Sequence, residues 1–243
     1  MRRFKRIELT MVLLSGLWLM GCEPTSKNEQ PLNVLMISID DLNDWVGVLG
    51  AYPNVKTPNI DRLANEGILF TNAHCQAPIC GPSRASLLSG LRPSTTGIYG
   101  QIKDKNLRKG STLMESVLFL PEYFKNNGYK TIGVGKIFHN HAPEGNFEVS
   151  GGRIAGFGPR PEKRIKWNKE GTSTDWGAYP QEDSLMSDYN YAQWTKKQLE
   201  QKHDRPFFMA VGFIRPHVPW HAPKSWFDLY NPCLLYTSDA ADE

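Results

Sequence analysis

Three apolar runs constrain the fold of this chain more than any other feature. They cover Asn33 to Ile39 (NVLMISI), Tyr129 to Val134 and Phe207 to Phe213. Nearly continuous apolar runs of this length are typical of strands that are buried on both faces of a parallel sheet. The sequence therefore predicts a mostly parallel central sheet, in which the run at 33–39 is covered on both faces.

Segments with a helical pattern separate the apolar runs. Thr57 is a good N-cap, and Pro58 suits the first position of the helix that follows. In that helix Ile60, Leu63 and Ala64 share one face. The other predicted helices are Pro82 to Leu88, Pro121 to Asn127 and about Asp188 to Lys202. Strands that alternate with helices indicate an α/β fold.

Two further segments complete this pattern. Ile68 to Phe70 follows the helix-ending Gly67 and is predicted to form another short strand. Between Asn140 and Asp183 the pattern fails, because glycine, proline and tryptophan crowd this stretch. We expect a long loop there that shapes a surface or a pocket.

The ends of three predicted strands carry residues with catalytic chemistry. These residues are Asp40 and Asp41 after the first run, Lys136 and His139 after the second, and His217 after the third. In open α/β sheets, ligands bind outside the carboxyl ends of the strands. Three polar clusters at one edge of the sheet therefore predict an active site there.

The net charge of +3 arises at the N-terminus. The chain has 28 basic and 25 acidic residues, and the whole excess lies within residues 1–22. The remaining charges balance, so we expect no nucleic-acid partner. With 40% apolar and 22% charged residues, the composition is that of a globular protein and excludes collagen, coiled coil and wholesale disorder. Four cysteines are too few for a disulfide scaffold of this size.

The first residues have the order of features found in a secretory signal. A basic start (MRRFKR) precedes an apolar stretch from Leu9 to Met20, which is too short to span a bilayer. The ending LMGC resembles a bacterial lipobox, which implies a signal peptide at 1–21 and a lipidated Cys22, followed by a polar tether at 22–32. The alternative is an N-terminal helix of the fold. We therefore expect an exported, membrane-anchored lipoprotein, either periplasmic or on the cell surface.

The segment from Cys80 to Gly90 (CGPSRASLLSG) is the most specific motif of the chain. It resembles the C-x-P-S-R signature of type I sulfatases, in which the cysteine is oxidised to formylglycine and the hydrated aldehyde is the nucleophile. A helix N-terminus also favours an anion such as sulfate, and Arg84 can hold the nucleophile or a sulfate oxygen. The alternative is an ordinary helix start with a buried cysteine and a surface arginine.

The resemblance also implies a metal site at Asp40 and Asp41. In sulfatases the two carboxylates after the first strand bind a calcium ion, and the residue equivalent to Cys80 is a further ligand. Hard oxygen ligands suit Ca²⁺, or secondarily Mg²⁺, better than zinc. The ion would neutralise charge on the sulfate oxygens and make sulfur easier to attack. Taken alone, adjacent aspartates at a strand end are often helix caps.

Two later motifs carry the remaining catalytic candidates. Gly133 to His139 (GVGKIFH) is similar to the family's G-K-x-x-H element, which implies that Lys136 binds a sulfate oxygen and His139 acts as a base. Phe213 to Trp220 (FIRPHVPW) is similar to the segment with the other catalytic histidine, which implies that His217 contacts the ester oxygen. His221 is the competing candidate. Without the resemblance, a Lys–His pair after a strand is more often a pair of surface residues without a functional role.

Within the family, these motifs and the opening NVLMISIDDLNDWVG look closest to iduronate-2-sulfatase-like members, over about Asn33 to Pro232. The implied fold is the alkaline phosphatase-like α/β sandwich. The implied activity is hydrolysis of a sulfate ester on a sugar or uronic acid of a polysaccharide, after a maturation enzyme has converted Cys80 to formylglycine. The alternatives are a phosphonate or phosphate monoester hydrolase with the same chemistry, and an inactive glycan-binding lipoprotein on the cell surface.

The chain is also far shorter than members of this family. We expect residues 33–232 to be the N-terminal half of a truncated sulfatase domain, without the further calcium ligands and the second sulfate-binding lysine. The acidic end at 233–243 matches no expected continuation and resembles a translated sequencing adapter, so we expect it to be non-native. As printed, the chain is therefore expected to be inactive or insoluble, because a sheet that lacks later strands exposes an apolar edge.

Overall fold

The computed structural model describes residues 31–230 except Pro53, Ala155 and Asn168. The predicted signal peptide, the predicted lipidation site Cys22, most of the tether and the tail at 233–243 lie outside the described residues. Within the described part, no helix combines the length and the hydropathy that a membrane crossing requires.

Parallel strands dominate the described region. The strands are β1 (Val34–Ile39), β2 (Lys130–Gly135), β3 (Val149–Gly152), β4 (Trp176–Ala178), β5 (Phe207–Phe213) and β6 (Trp220–Ala222). One sheet has the order β1-β5-β2-β3, and β4 pairs with β6 in a second sheet. Every one of these pairs is parallel. The prediction of an α/β fold with a parallel sheet is therefore confirmed.

Helices connect the strands. The α-helices of the described residues are α1 (Pro58–Glu66), α2 (Cys80–Ser89), α3 (Pro93–Thr96), α4 (Thr112–Ser116), α5 (Leu120–Asn126), α6 (Ser187–Leu199) and α7 (Lys224–Phe227). Short 3₁₀ helices cover Gly47–Leu49, Asp104–Lys109 and Asp183–Leu185. As predicted, α1 begins with Thr57 as its N-cap and Pro58 in its first turn. The predicted helices that became α2, α5 and α6 are also confirmed, with slightly shifted ends.

Strand β5 lies between two hydrophobic cores. Its side chains alternate, so that Phe208 and Ala210 belong to the first core, while Met209 and Val211 belong to the second. Helix α2 packs on the first core, and α6 contributes the fully buried Tyr191 to the second. Because β5 pairs with β1 on one side and β2 on the other, the carboxyl ends of these three strands meet at one edge.

Strand β1 differs from the prediction because it lies at the edge of the sheet. Among the described residues it pairs only with β5. Val34 and Met36 pack on the first core, but Leu35 and Ile37 are 42% and 49% exposed. The prediction that both faces of this strand are buried is therefore wrong. An apolar run indicates that a segment forms a strand, whereas the position of that strand in the sheet depends on the other strands.

One other local prediction is wrong, and another is confirmed only in part. Residues Ile68 to Phe70 form no strand, and Ile68 and Phe70 are 83% and 75% exposed. The region from 140 to 183 is mostly irregular, as expected, but it contains β3 and β4. These strands are short and carry glycine (VSGG and WGA), so they lack the apolar runs that identify strands in a sequence.

Candidate active site

Helix α2 begins at Cys80, where backbone N–H groups are free of helical partners. The preceding Ile79 is extended (φ −138°, ψ 131°), and Gly90 ends the helix with φ 72°, a conformation that favours glycine. Cys80 is a partly buried, free cysteine. Its Sγ accepts a hydrogen bond from Gln101 Nε2 at 3.0 Å. The motif therefore occupies the helix start that the sequence predicts for it.

Asp40, Arg84 and Lys136 form a buried cluster that we call the Asp40 centre. Arg84 Nη2 donates to Asp40 Oδ1 at 2.7 Å, and Lys136 Nζ donates to Oδ2. The three residues are 5%, 6% and 1% exposed. Asp40 follows β1, Lys136 follows β2 and Arg84 lies in α2, so this centre joins two strand ends to the helix start.

The partners of Asp40 control its ionisation. Burial is the largest influence and raises the pKa of the carboxyl, but the hydrogen bond from Lys136 and the charge of Arg84 together outweigh it. The pKa of Asp40 is therefore lowered, and the carboxylate is ionised at neutral pH. Asp40 is thus paired with two cationic side chains, and Arg84 lines the cavity beside Cys80 together with Asp40 and Asp41.

The Asp40 centre opens into a cavity of about 250 Å³. The lining includes Asp40 and Arg84, the adjacent Asp41 and the predicted nucleophile Cys80. Cys75, for which the sequence offers no role, lines the same cavity and is also a free cysteine. The structure thus brings four of the predicted site residues to one open space.

His217 lies on the Asp41 side of this edge. Its Nε2 is 3.9 Å from Asp41 Oδ2, and the two side chains are 19% and 53% exposed. Its Nδ1 is 2.7 Å from the Val218 carbonyl oxygen. Since a carbonyl only accepts, Nδ1 carries a proton and Nε2 faces Asp41. Asp41 itself has φ 58°, which is uncommon for a residue other than glycine.

Phe157 links several of these groups through the faces of its ring. Its ring centroid is 5.4 Å from Lys136 Nζ, 4.7 Å from the Arg153 guanidinium carbon and 5.1 Å from the His217 ring centroid. Contacts between a cation and an aromatic face are favourable. The Phe157 carbonyl oxygen also accepts from Arg215 Nη2 at 2.9 Å. The sequence contains no signal for this residue, because it lies in the irregular region outside any motif.

His139 follows Lys136 by three residues in the chain but does not line the cavity. Its backbone N–H donates to Asp104 Oδ1 at 3.0 Å, and those of Asn140 and His141 donate to Oδ2 at 2.6 and 3.0 Å. Burial, followed by the charge of Lys136, lowers the pKa of His139. The imidazole is therefore neutral at neutral pH. Sequence patterns do not reveal Asp104, because the backbone N–H groups that it accepts from lie about 35 residues further along the chain.

His221, the competing histidine, belongs to a different cluster that we call the Asp175 centre. His221 Nε2 is 3.0 Å from Asp175 Oδ2, and the two side chains are 4% and 5% exposed. The backbone N–H groups of Ile165, Lys166 and Trp167 also donate to Asp175. Burial raises the pKa of Asp175, but these hydrogen bonds outweigh it, and the pKa is lowered. This centre connects the irregular region to β6, so His217, near Asp41, is the histidine closer to the cavity lining.

Asp40 and Asp41 are the candidate ligands for a divalent cation. Their oxygens suit a hard ion such as Ca²⁺, which takes about six to eight oxygen ligands. In residues 31–230, apart from the three omitted positions, no group of three or more His, Cys, Asp or Glu side chains is arranged to hold a metal. The thiol of Cys80 is a soft ligand, and an aldehyde hydrate there would supply oxygen instead. The two aspartates therefore fit a hard cation and provide part of a ligand set.

Solved structures identify the fold. The chain matches the phosphonate monoester hydrolase of Agrobacterium radiobacter with a TM-score of 0.57 and 22% identity, covering 84% of this chain and 44% of that chain. It also matches a protein solved in complex with its substrate D-glucosamine-2-N,6-O-disulfate, with a TM-score of 0.53 and 20% identity, covering 81% and 37%. The fold is the alkaline phosphatase-like α/β fold of sulfatases, as the resemblance implies.

Sequence relatives define the family. The sulfatase family model matches residues 32–232, and the chain belongs to this family. It is 47% identical over 235 residues to a sulfatase of Formosa agariphila, covering 90% of this chain and 46% of that protein. It is 33% identical to human iduronate 2-sulfatase, covering 91% and 42%, and 33% identical to human N-acetylgalactosamine-6-sulfatase, covering 80% and 41%. The chain spans less than half the length of these curated relatives.

Proposed function

We propose that the complete protein hydrolyses sulfate esters of a sulfated carbohydrate, with formylglycine made from Cys80 as its nucleophile. One observation carries this proposal. Cys80 stands at the start of α2, with Arg84 one turn later, and both line a cavity with Asp40 and Asp41. Membership in the sulfatase family supports the same chemistry.

The residues around the cavity would bind and orient the sulfate group. The hydrated aldehyde at position 80, once formed, supplies the hydroxyl that attacks sulfur. Arg84 and Lys136 place positive charge beside it, and Asp40 holds both cations in position. Ca²⁺ held by Asp40 and Asp41 would add further positive charge at the sulfate oxygens. Arg84 Nε is buried and has no hydrogen-bond partner among the described residues.

Two histidines are suited to move protons. His139 does not line the cavity in this structure, but its pKa is lowered, and the neutral imidazole suits the base role that the family resemblance implies. His217 has Nδ1 bonded to a carbonyl, which leaves Nε2 to donate a proton to the leaving ester oxygen when the ring is protonated. The Phe157 ring contacts both His217 and Lys136 and would keep them at a fixed spacing.

The finer proposal concerns the substrate, which we infer to be a sulfated sugar or uronic acid of a polysaccharide. The GVGKIFH and FIRPHVPW motifs look closest to iduronate-2-sulfatase-like members, and human iduronate 2-sulfatase is among the relatives. A second candidate is hydrolysis of phosphonate or phosphate monoesters by the same site. The fold match to a phosphonate monoester hydrolase favours this alternative.

Substrate profiling tests these proposals. The protein is expressed from its complete gene together with a formylglycine-generating maturation enzyme, and turnover of an aryl sulfate is compared with that of an aryl phosphonate. We expect a preference for the sulfate. A preference for the phosphonate would support the second candidate. No turnover of either, with the aldehyde in place, would contradict both and leave an inactive glycan-binding protein.

We also propose that the protein is an exported lipoprotein, anchored to a membrane through Cys22 on the periplasmic side or the cell surface. The basic start, the apolar stretch and the lipobox-like LMGC support this location. Wild-type protein in the native host should incorporate a labelled fatty acid, and Cys22→Ala should not. Equal labelling of the two would contradict lipidation at Cys22.

A further inference from the structure

The side chain at position 80 has a neighbour that lies outside every sequence motif. Gln101, on the loop after α3, donates from Nε2 to Cys80 Sγ at 3.0 Å. It reaches Cys80 across the start of α2, from 21 residues further along the chain. Arg84, in contrast, is held by Asp40 and by the Ile137 carbonyl oxygen. Gln101 therefore contacts the nucleophile position independently of the Asp40 centre.

Glycine at position 81 leaves the space for this contact. A Cβ atom built on Gly81 would lie 2.3 Å from Gln101 Oε1 and 3.3 Å from Gln101 Cα. Gly81 is not among the glycines with positive φ, so its backbone conformation does not require glycine. The absence of a side chain at 81 is instead explained by the carboxamide that lies over it. Any larger residue would displace the end of the flexible Gln101 side chain.

We propose that Gln101 is a positioning residue for the nucleophile. Because Gly81 has no side chain, the Gln101 carboxamide can approach, and its N–H holds the side chain at position 80 in one orientation. This inference rests on the proposed function, because the group to be held in the mature enzyme is the hydrated aldehyde made from Cys80. The same donor serves both groups, since a hydroxyl oxygen accepts hydrogen bonds and thiol sulfur accepts them weakly.

Two variants remove this contact by different routes. Gly81→Ala displaces the carboxamide and keeps Gln101, whereas Gln101→Glu keeps the shape of the side chain and replaces the N–H donor. We expect each to lower kcat, expressed per mole of aldehyde, by about tenfold, equivalent to about 1.4 kcal/mol, with KM changed by less than about twofold. Because both act on one contact, the double variant should be no worse than the more affected single variant.

Gly100→Ala is the matched control. It lies next to Gln101, and a Cβ atom there meets no other atom within 4 Å. We expect its kcat to equal that of the wild type. All four proteins should also unfold at the same temperature, since the contact involves an exposed side chain end and no part of either core. A loss of kcat in Gly100→Ala equal to that in Gly81→Ala would overturn the inference.

A second readout does not depend on turnover. Protein made without the maturation enzyme, in a Cys75→Ala background, retains the thiol of Cys80. Gly81→Ala and Gln101→Ala should make alkylation of Cys80 by iodoacetamide about threefold to tenfold slower, because the donated hydrogen bond stabilises the reactive thiolate. Unchanged alkylation rates together with unchanged kcat would overturn the role of Gln101.

Mass spectrometry of the peptide with residue 80 separates this inference from the proposed function. Full conversion to the aldehyde in an active wild type, with unchanged kcat in both variants, would overturn the role of Gln101 alone. An active wild-type enzyme that retains an unmodified Cys80 would overturn the proposed function and this inference with it.

Discussion

The Asp40 centre and the Asp175 centre are two buried carboxylate clusters with different consequences. Asp40 and Asp175 are 5% and 3% exposed, and the pKa of each is lowered. Asp175 is closed in by three backbone N–H groups and His221. Asp40 is held by two cationic side chains and lines a cavity with Cys80. Burial and a lowered pKa are therefore common to both, whereas the hydrogen-bond partners and the cavity beside Cys80 distinguish them.

The partners of each carboxylate explain this difference. Backbone N–H groups stabilise the Asp175 carboxylate without adding a full charge. The cluster therefore holds a segment of the chain in place. Asp40 is paired with two cationic side chains, of which Arg84 also lines the cavity together with Asp41. The first arrangement holds the irregular region in place, and the second places charged side chains at the cavity beside Cys80.

Removal of the nucleophile gives the largest expected effect. Cys80→Ala should lower kcat by about a thousandfold or more, because the covalent route is lost. Cys75→Ala, which changes the other cysteine of the same cavity, should leave kcat unchanged. Sulfate release from an aryl sulfate measures both. Equal losses in the two variants would show that position 80 has no special role.

Neutralising each carboxylate compares the two centres directly. Asp40→Asn leaves Arg84 and Lys136 buried without a counter-charge, which should cost about 3–5 kcal/mol in the free energy of unfolding and also lower kcat. Asp175→Asn should cost about 2 kcal/mol, from weakened hydrogen bonds, and leave kcat within about threefold. Urea unfolding and aryl sulfate turnover measure these effects. Loss of kcat in Asp175→Asn at unchanged stability would break the comparison.

Substitutions of His217 and His221 should also have different effects, one on kcat and the other on stability. His217→Ala should lower kcat by about a hundredfold with little change in unfolding temperature, as expected for a group that transfers a proton. His221→Ala should lower the unfolding temperature and leave kcat nearly unchanged, because it removes a buried partner of Asp175. Calorimetry and steady-state kinetics on both variants are the measurements. The reverse pattern would make His221 the catalytic histidine.

The smallest expected effect concerns pH. The folded-state pKa of Asp175 lies below its unfolded value of about 4. Its stabilisation is therefore fully present above that pH and is lost as the pH falls toward the folded-state pKa. Between about pH 5 and pH 3, the free energy of unfolding should fall by about 1 kcal/mol more in the wild type than in Asp175→Asn. Parallel curves over that range would contradict this assignment.

The sequence predicts the strands inside the sheet better than the strand at its edge. The runs that form β2 and β5 are apolar because they lie inside the sheet, so their pattern identifies them. The run of β1 is equally apolar, yet Leu35 and Ile37 are partly exposed because the strand lies at an edge. Strand position depends on pairing across long stretches of chain, and no local pattern encodes it.

Some residues of the candidate site can likewise be predicted from the sequence, and others cannot. Residues next to strand ends or in the Cys80 motif are predictable, because chain order and parallel pairing bring Asp40, Lys136 and His217 to one edge. Phe157 and Gln101 are not predictable, because their contacts arise from loops that fold over this edge. Their side chains match no motif, and only coordinates reveal what they touch.

The chemical state of residue 80 tests the central claim most directly. Protein from the native host, digested and analysed by mass spectrometry, should yield the peptide with Cys80 converted to formylglycine, while Cys75 remains a thiol. This result would show that the residue at the start of α2, beside the Asp40 centre, is the modified nucleophile. An unmodified thiol at position 80 in protein that releases sulfate would contradict the account.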